Sequence, residues 1–401
     1  MMLSKKVQGL HPSATIGLNQ KVRQLKSQGE DVISLGLGDS HFKTPDSIIE
    51  EAYQGIQSGY TRYTPIEGLS ELCEAICAKL HRENKLTFAP RQIIASTGAK
   101  QSLYNAFMAT LDPGDEVILP APYWVSYPDM IHVCDGVVKI VDCPKEHHFK
   151  LHPQALEDAI TPRTKWVLLN SPNNPTGAVY SQTDYQALGK VLEAHPHVHI
   201  LTDDIYEHIM YDGKAFINIL EACPELSERT LIINGVSKGF SMSGWRLGYA
   251  AGPEYLIQAM KKIQSQTTSC ASSVTQISVI KALKYGTLDT ELANRRQIFQ
   301  ENRDYVVTTL NKTPGLSVLP PQGSFYAYVH CQGVIGKVTS MGQTIQTDTD
   351  FAQYILETAK VALIPGIAFG HSPYVRLSFS VEKEILIEAM NRIQHALSEL
   401  S

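Results

Sequence analysis

The segment RTLIINGVSKGFSMSGWRLGYAAG, residues 229–252, sets one short apolar run, Leu231 to Ile233, against a second at Leu247 to Ala251. Between them lies a Gly- and Ser-rich loop holding one lysine, Lys238, and then one arginine, Arg246. Short apolar runs bounded by Gly read as buried strands. Small residues let the backbone approach a bound group, and a lone amine among them is a nucleophile once its charge is suppressed. Taken alone, Lys238 reads better as a solvated loop lysine, and the rest of the chain has to shift that balance.

The same punctuation recurs along the chain. RQIIAS (91–96), DEVILP (115–120), GVVKIVD (136–142), TKWVLLN (164–170) and VHILTD (198–203) join RTLIING (229–235) and RLGYAAG (246–252) as candidate strands. Helical periodicity fills KQSLYNAFMATL and QTDYQALGKVLEAH between them. Such alternation predicts an α/β fold, a mostly parallel central sheet covered on both faces. From about residue 290, ELANRRQIFQENRDYVVTTLNK leads to short strands around GSFYAYVH and YVRLSFS and a last helix. That pattern predicts a smaller α+β domain at 291–401, a large domain at 46–290, and residues 1–45 as an arm and part of the small domain.

Composition excludes several classes. Lys plus Arg number 35 against 40 Asp plus Glu, a formal charge of -5, without a basic block suited to nucleic acid. No apolar run approaches bilayer length, and the start, MMLSKKVQGLHPSATIG, lacks the apolar core of a secretion signal. A cytoplasmic protein without membrane partners is expected. Its seven cysteines are odd in number and scattered, which suits reduced thiols. Cys73 and Cys77 lack two further ligands at metal spacing, and the histidines of HPHVH (195–199) lack a carboxylate partner, so no metal site is expected.

Residues of chemical interest fall just past strand ends, where open α/β sheets bind ligands. STGAKQ opens a helix whose free N–H groups at Gly98, Ala99 and Lys100 suit a phosphate. SPNNPTG follows one strand, DDIYE another, and Lys238 a third. With YTRYTPIEG, PYWVSYP, SKGFSMSGWRLGY and YVRLSFS, these motifs resemble the class I, aspartate-aminotransferase-like pyridoxal-phosphate enzymes, over nearly the whole chain. The resemblance implies PLP fold type I, pyridoxal 5'-phosphate as cofactor and a homodimer with shared active sites. It implies Lys238 as the lysine joined to the cofactor aldehyde and as the proton shuttle, Asp203 beside the pyridine nitrogen, and Asn174 and Tyr206 on the phenolic oxygen. It likewise implies that Trp124 stacks on the ring, that Gly98, Ala99, Lys100, Ser237 and Arg246 surround the phosphate, joined by Tyr63 from a second subunit, and that Arg376 and the backbone at Gly38 take the substrate's α-carboxylate, with Trp124 and Asn174 bordering the substrate. In DDIYE, the spacing to Tyr206 selects Asp203 over Asp204.

Two departures stand out. Many relatives have a serine where this chain has Gly235, and their frequent G-E-P-D-F is here GDSHF, Gly38 to Phe42. A cation in a helix's first turn opposes the macrodipole, so Lys100 implies an anionic partner. That partner is either the cofactor phosphate or, by resemblance to bacterial aspartate and prephenate aminotransferases, the distal carboxylate of a substrate held by Lys100 and Thr15. Aspartate or glutamate is then the expected amino donor and 2-oxoglutarate the acceptor. Aromatic or neutral amino acids, or a β-lyase or oxidase reaction on the same fold, remain the alternatives.

Overall fold

The computed structural model describes residues 2–10, 14–284, 286 and 288–401. Its strands are β1 (Ile33–Ser34), β2 (Ile93–Ser96), β3 (Glu116–Ala121), β4 (Val137–Asp142), β5 (Thr164–Asn170), β6 (His199–Asp203), β7 (Thr230–Gly235), β8 (Gly248–Ala251), β9 (Ser317–Val318), β10 (Tyr326–His330), β11 (Val361–Ala362), β12 (Ile364–Pro365) and β13 (Tyr374–Ser378). Seven of them form one sheet in the order β2-β8-β7-β6-β5-β3-β4. Six of the seven lie within the runs read as strands from the sequence, and β3 extends one residue past its run, to Ala121. Alternate residues leave opposite faces, as a period of two requires. Val167 and Leu169 join one core with Ile118 and Ile200, while Trp166 and Leu168 join another with Val117 and Leu201. Helices cover both faces of the inner strands, which are largely apolar, whereas the edge strand β4 leaves Val137 and Ile140 exposed.

One strand departs from the parallel pattern. β8 runs antiparallel to both β2 and β7, whereas the pairs β3·β4, β3·β5, β5·β6 and β6·β7 are parallel. Because β8 is reversed, its start lies at the sheet edge where the parallel strands end. Arg246 is thereby carried to the same edge as Lys238. Tight packing makes this reversal possible: Gly235 pairs with Gly248, and a Cβ on Gly235 would stand 2.8 Å from the Gly248 Cα. The absent serine at position 235 thus has a steric reason in this chain. Gly248 in turn has the backbone of Gly98 and Ala99 pressed against it, nearer than any Cβ tolerates.

A second, four-stranded sheet has the order β12-β13-β10-β9. Val375, Leu377 and Phe379 turn into a core with Val329, Val306 and Leu386. β1 pairs in parallel with β11, and Ser378 donates its amide to Leu35 O at 2.7 Å, so residues 33–36 run along this second sheet. The helix Asp289–Asn311 spans both cores, with Leu292 in the first and Phe299, Val306 and Leu310 in the second. Among the described residues, no helix is long and apolar enough to cross a membrane. All seven cysteines are unpaired.

Gly248→Ala is expected to cost about 1–3 kcal/mol in denaturant unfolding through overpacking. Gly17→Ala, where nothing lies within 4 Å of the added methyl, is the control and is expected to cause no loss. Equal stability of the two variants would refute the steric account.

Candidate active site

A cavity of about 320 Å³ opens where the strand ends of the large sheet meet β10, β13 and the N-terminal segment. It is lined by Thr15, Gly38, Ala99, Lys100, Trp124, Asn174, Asp203, Tyr206, Ser237, Lys238, Arg246 and Arg376, all singled out from the sequence. Gly98 stands just behind this wall, at φ +90 as N-cap of the helix Ala99–Thr110, and any side chain there would strike the Arg246 guanidinium. Tyr63 lies elsewhere and is 90% exposed. Of the HPSATIG segment, His11, Pro12 and Ser13 lie outside the described residues, while Thr15 borders the cavity from the helix Ala14–Ser27.

Asp203 ends β6 and is 4% exposed. Its Oδ2 accepts from the Tyr127 phenol at 2.7 Å and its Oδ1 from the Ile205 amide at 3.3 Å. Burial pushes its carboxyl up to about 6, against the pull of these hydrogen bonds and of Lys238. Asp204 points away, bound to Thr202 and Asn218, and burial raises it to about 8. Lys238 faces Asp203 from the loop after β7 and donates to Gly38 O. Part of its surface opens to the cavity, but protein encloses the amine otherwise. Burial lowers it to about 8, with the charges of Arg376 and Arg246 adding to the fall and Asp39 and Asp203 opposing it. An amine so depressed is a usable base near neutrality.

Arg376 puts a buried cation at one end of the cavity. It alternates with Val375 and Leu377 along β13 and so leaves the opposite face of that strand. In the folded chain that face is covered, and Arg376 is 1% exposed. Its Nη1 donates to Asn174 Oδ1 at 2.9 Å and its Nη2 to Gly36 O at 2.7 Å. Its guanidinium lies 4.4 Å over the Tyr326 ring and 5.0 Å over Phe369. Buried Nε has no partner, and no carboxylate among the described residues pairs with the group. A buried cation without a counter-charge costs several kcal/mol, and a carboxylate entering the cavity relieves that cost.

At the opposite end, the first-turn amides of Ala99 and Lys100 have no partner within their helix. With Ser237, Ser243 and Arg246 they form a second anion cradle. Arg246, in the left-handed region at φ 56, donates to Ser243 O at 2.7 Å. At the mouth, Lys100 donates to Ser126 Oγ at 3.1 Å and lies 4.7 Å over the Trp124 ring. Burial and the Arg246 charge hold its ammonium below the usual range.

The family model for aminotransferase class I and II matches residues 30–393. The chain belongs to that family. It is 50% identical to a probable aspartate/prephenate aminotransferase of Rhizobium leguminosarum bv. phaseoli, over 96% of this chain and 95% of that protein. Among solved structures, the aspartate aminotransferase of Rhizobium meliloti superimposes with a TM-score of 0.97 at 47% identity, covering 100% of both chains. That of Thermus thermophilus with maleate gives 0.92 at 37%, over 99% of this chain and 100% of the other. In this aminotransferase, Tyr127, Tyr326, Asn170 and Ser243 also line the cavity without having been singled out. PYWVSYP and GSFYAYVH contain the two tyrosines, but the inward direction of a side chain is not written in a motif. GDSHF folds onto the lysine loop, with Ser243 Oγ donating to Asp39 Oδ2 at 2.8 Å. Away from the cavity, Glu83, Glu207 and His208 come close enough to share a cation, but the Lys79 ammonium already pairs with both glutamates.

Lys238 yields a test that needs no cofactor. Its folded value lies below the ordinary 10.5, so between about 8 and 10.5 the unfolded chain binds the extra proton. Stability relative to Lys238→Met therefore rises with pH across that window. Labelling of Lys238 by a small amine-reactive reagent should level off just above 8, while surface lysines continue to climb. A labelling curve matching the surface lysines would contradict the depressed value.

Proposed function

We propose that this aminotransferase moves an amino group between aspartate or glutamate and a 2-oxo acid such as 2-oxoglutarate, with pyridoxal 5'-phosphate as carrier. The observation that carries the substrate side is Arg376, a fully buried cation lacking a counter-charge at one end of the cavity. The cofactor side rests on fit: an anion cradle at Ala99, Ser237 and Arg246, and between it and Arg376 a buried carboxylate and a depressed amine.

In this reading the cradle, backed by Gly98, would hold the cofactor phosphate, Trp124 would lie against the ring, and Asn174 and Tyr206 would meet the phenolic oxygen. Once bound, pyridoxal phosphate supplies an aldehyde for the amino group and a ring that takes up the electron pair left at the substrate's Cα. Asp203 keeps a negative charge beside the ring nitrogen. Lys238 Nζ accepts the Cα proton, which an amine near 8 can do without full ionisation against it. Arg376 and the Gly38 backbone fix the α-carboxylate, so that the Cα–H faces the lysine. Lys100, with Thr15, Ser126 and Trp124 around it, stands where a second carboxylate reaches the mouth. Maleate, the ligand named with the Thermus thermophilus structure, is itself a dicarboxylate.

The division into a large unit at 46–290 and a small unit at 1–45 and 291–401 belongs to the same reading, with the site between them. So does a homodimer. Ile49, Tyr53 and Ile56 repeat along one face of the helix Asp46–Gln57, and with Tyr60 and Tyr63 they leave an exposed apolar stripe. A second copy covering that stripe would bring Tyr63 to its neighbour's phosphate. Unpaired cysteines agree with a cytoplasmic setting.

Arg376→Ala should lower kcat/KM for every amino donor. Lys100→Ala should remove a charge-assisted bond worth about 1.5–3 kcal/mol, a loss of about ten- to hundredfold for aspartate and much less for alanine or phenylalanine. A uniform loss at full cofactor occupancy would assign Lys100 to the phosphate instead, and a parent enzyme inactive on aspartate and glutamate would turn the reading to neutral donors. Tyr63→Ala and Lys238→Ala chains, each impaired alone, should regain activity when mixed as heterodimers. Heterodimers that stay inactive would remove Tyr63 from the site.

A further inference from the structure

Tyr127 opens the helix Tyr127–Val133 and is 1% exposed. Its amide donates to Trp124 O at 3.0 Å, a tight turn that sets the two rings edge to face, 5.2 Å apart at 82°. Its phenol donates to Asp203 Oδ2 at 2.7 Å, whereas the Ile205 amide reaches Oδ1 only at 3.3 Å. The phenol is therefore the stronger of the two donors that hold this carboxylate. Burial favours the neutral acid at Asp203, and the Tyr127 hydrogen bond is the foremost influence opposing it. The phenol itself is held well above its ordinary range by burial and by the Asp203 charge, so it stays protonated and remains a donor.

We propose that Tyr127 is a positioning residue for the aminotransferase reaction: its phenol fixes the Asp203 carboxylate and keeps it negatively charged against the cofactor's ring nitrogen, which is thereby held protonated. The proposal rests on the assignment of Asp203 to that nitrogen. Without the hydroxyl, the proton shared by the two groups moves toward Asp203, and the ring becomes a poorer acceptor of the electron pair. Trp124 and Tyr127 then act as one unit, the first against the ring's face and the second behind the carboxylate at its edge.

Tyr127→Phe removes the hydroxyl and keeps the ring against Trp124. In protein reconstituted with pyridoxal phosphate labelled with ¹⁵N in the ring, the variant's signal is expected to move toward the unprotonated position, while kcat for aspartate falls about tenfold or more and KM changes little. In the cofactor-free chain, the isotope-edited infrared band of Asp203, identified by its loss in Asp203→Asn, should titrate about one to two pH units higher in Tyr127→Phe. Should that variant fold poorly, 3-fluorotyrosine at position 127 keeps the shape, strengthens the donor and should lower the midpoint instead. An unmoved ¹⁵N signal and an unmoved midpoint in a folded variant would overturn the proposal alone. A ring nitrogen already unprotonated in the parent would overturn the Asp203 assignment, and this proposal with it.

Discussion

A buried guanidinium without a counter-ion is the constraint around which the cavity is organised. Arg376 is 1% exposed at one end of the cavity, held by one amide oxygen, one backbone carbonyl and two aromatic faces. None of these neutralises its charge. Aromatic faces and neutral acceptors soften the desolvation penalty without removing it. The folded chain therefore carries a standing preference for an anion at that point. Asn174 is held by Arg376 and, through its amide, by Asn170 Oδ1 at 2.9 Å, so the same cation also orders the turn after β5.

The opposite end of the cavity solves a different problem with the same physics. Helix amides, serines and the exposed Arg246 line it, giving donors that point into the cavity rather than a deeply buried charge. Between the two anion sites stand Asp203 and Lys238, each displaced toward neutrality by burial. A carboxylate near 6 and an amine near 8 both exchange protons easily around neutral pH. Their opposite shifts have one cause, the cost of a charge in a low-dielectric site. The cavity thus has cations at its two ends and, between them, a carboxyl and an amine whose ionisation burial weakens.

Much of this was legible in the sequence because the ligand-bearing residues follow strands directly. Ser96, Asn170, Asp203 and Gly235 each close an apolar run, and the motif comes within a few residues. Periodicity gave the strands, and the order of the motifs gave the family resemblance. What periodicity could not give was direction. RLGYAAG reads the same whether parallel or antiparallel, and only the pairing of β8 with β2 and β7 shows that Arg246 begins at the ligand edge. Tyr127 and Tyr326 escaped notice for a similar reason, since a tyrosine in a motif is usually core.

Local sequence by itself determined the elements, the two packing faces of each strand and the identity of the reactive amine's loop. Only the pairing of β8 with β7 shows that the backbones at Gly235 and Gly248 touch beneath the helix Ala99–Thr110. Tertiary structure alone decided the state of each charge. Arg376 alternates with Val375 and Leu377 as a wet-face residue would, yet Asn174, the Gly36 carbonyl and the rings of Tyr326 and Phe369 close around it and leave it 1% exposed. Asp203 and Asp204 are adjacent and chemically identical, and strand geometry sends one to the cavity and the other to Thr202 and Asn218. The reason is common to both: ionisation and affinity depend on how much water remains around a group, and that is set by what distant segments place over it.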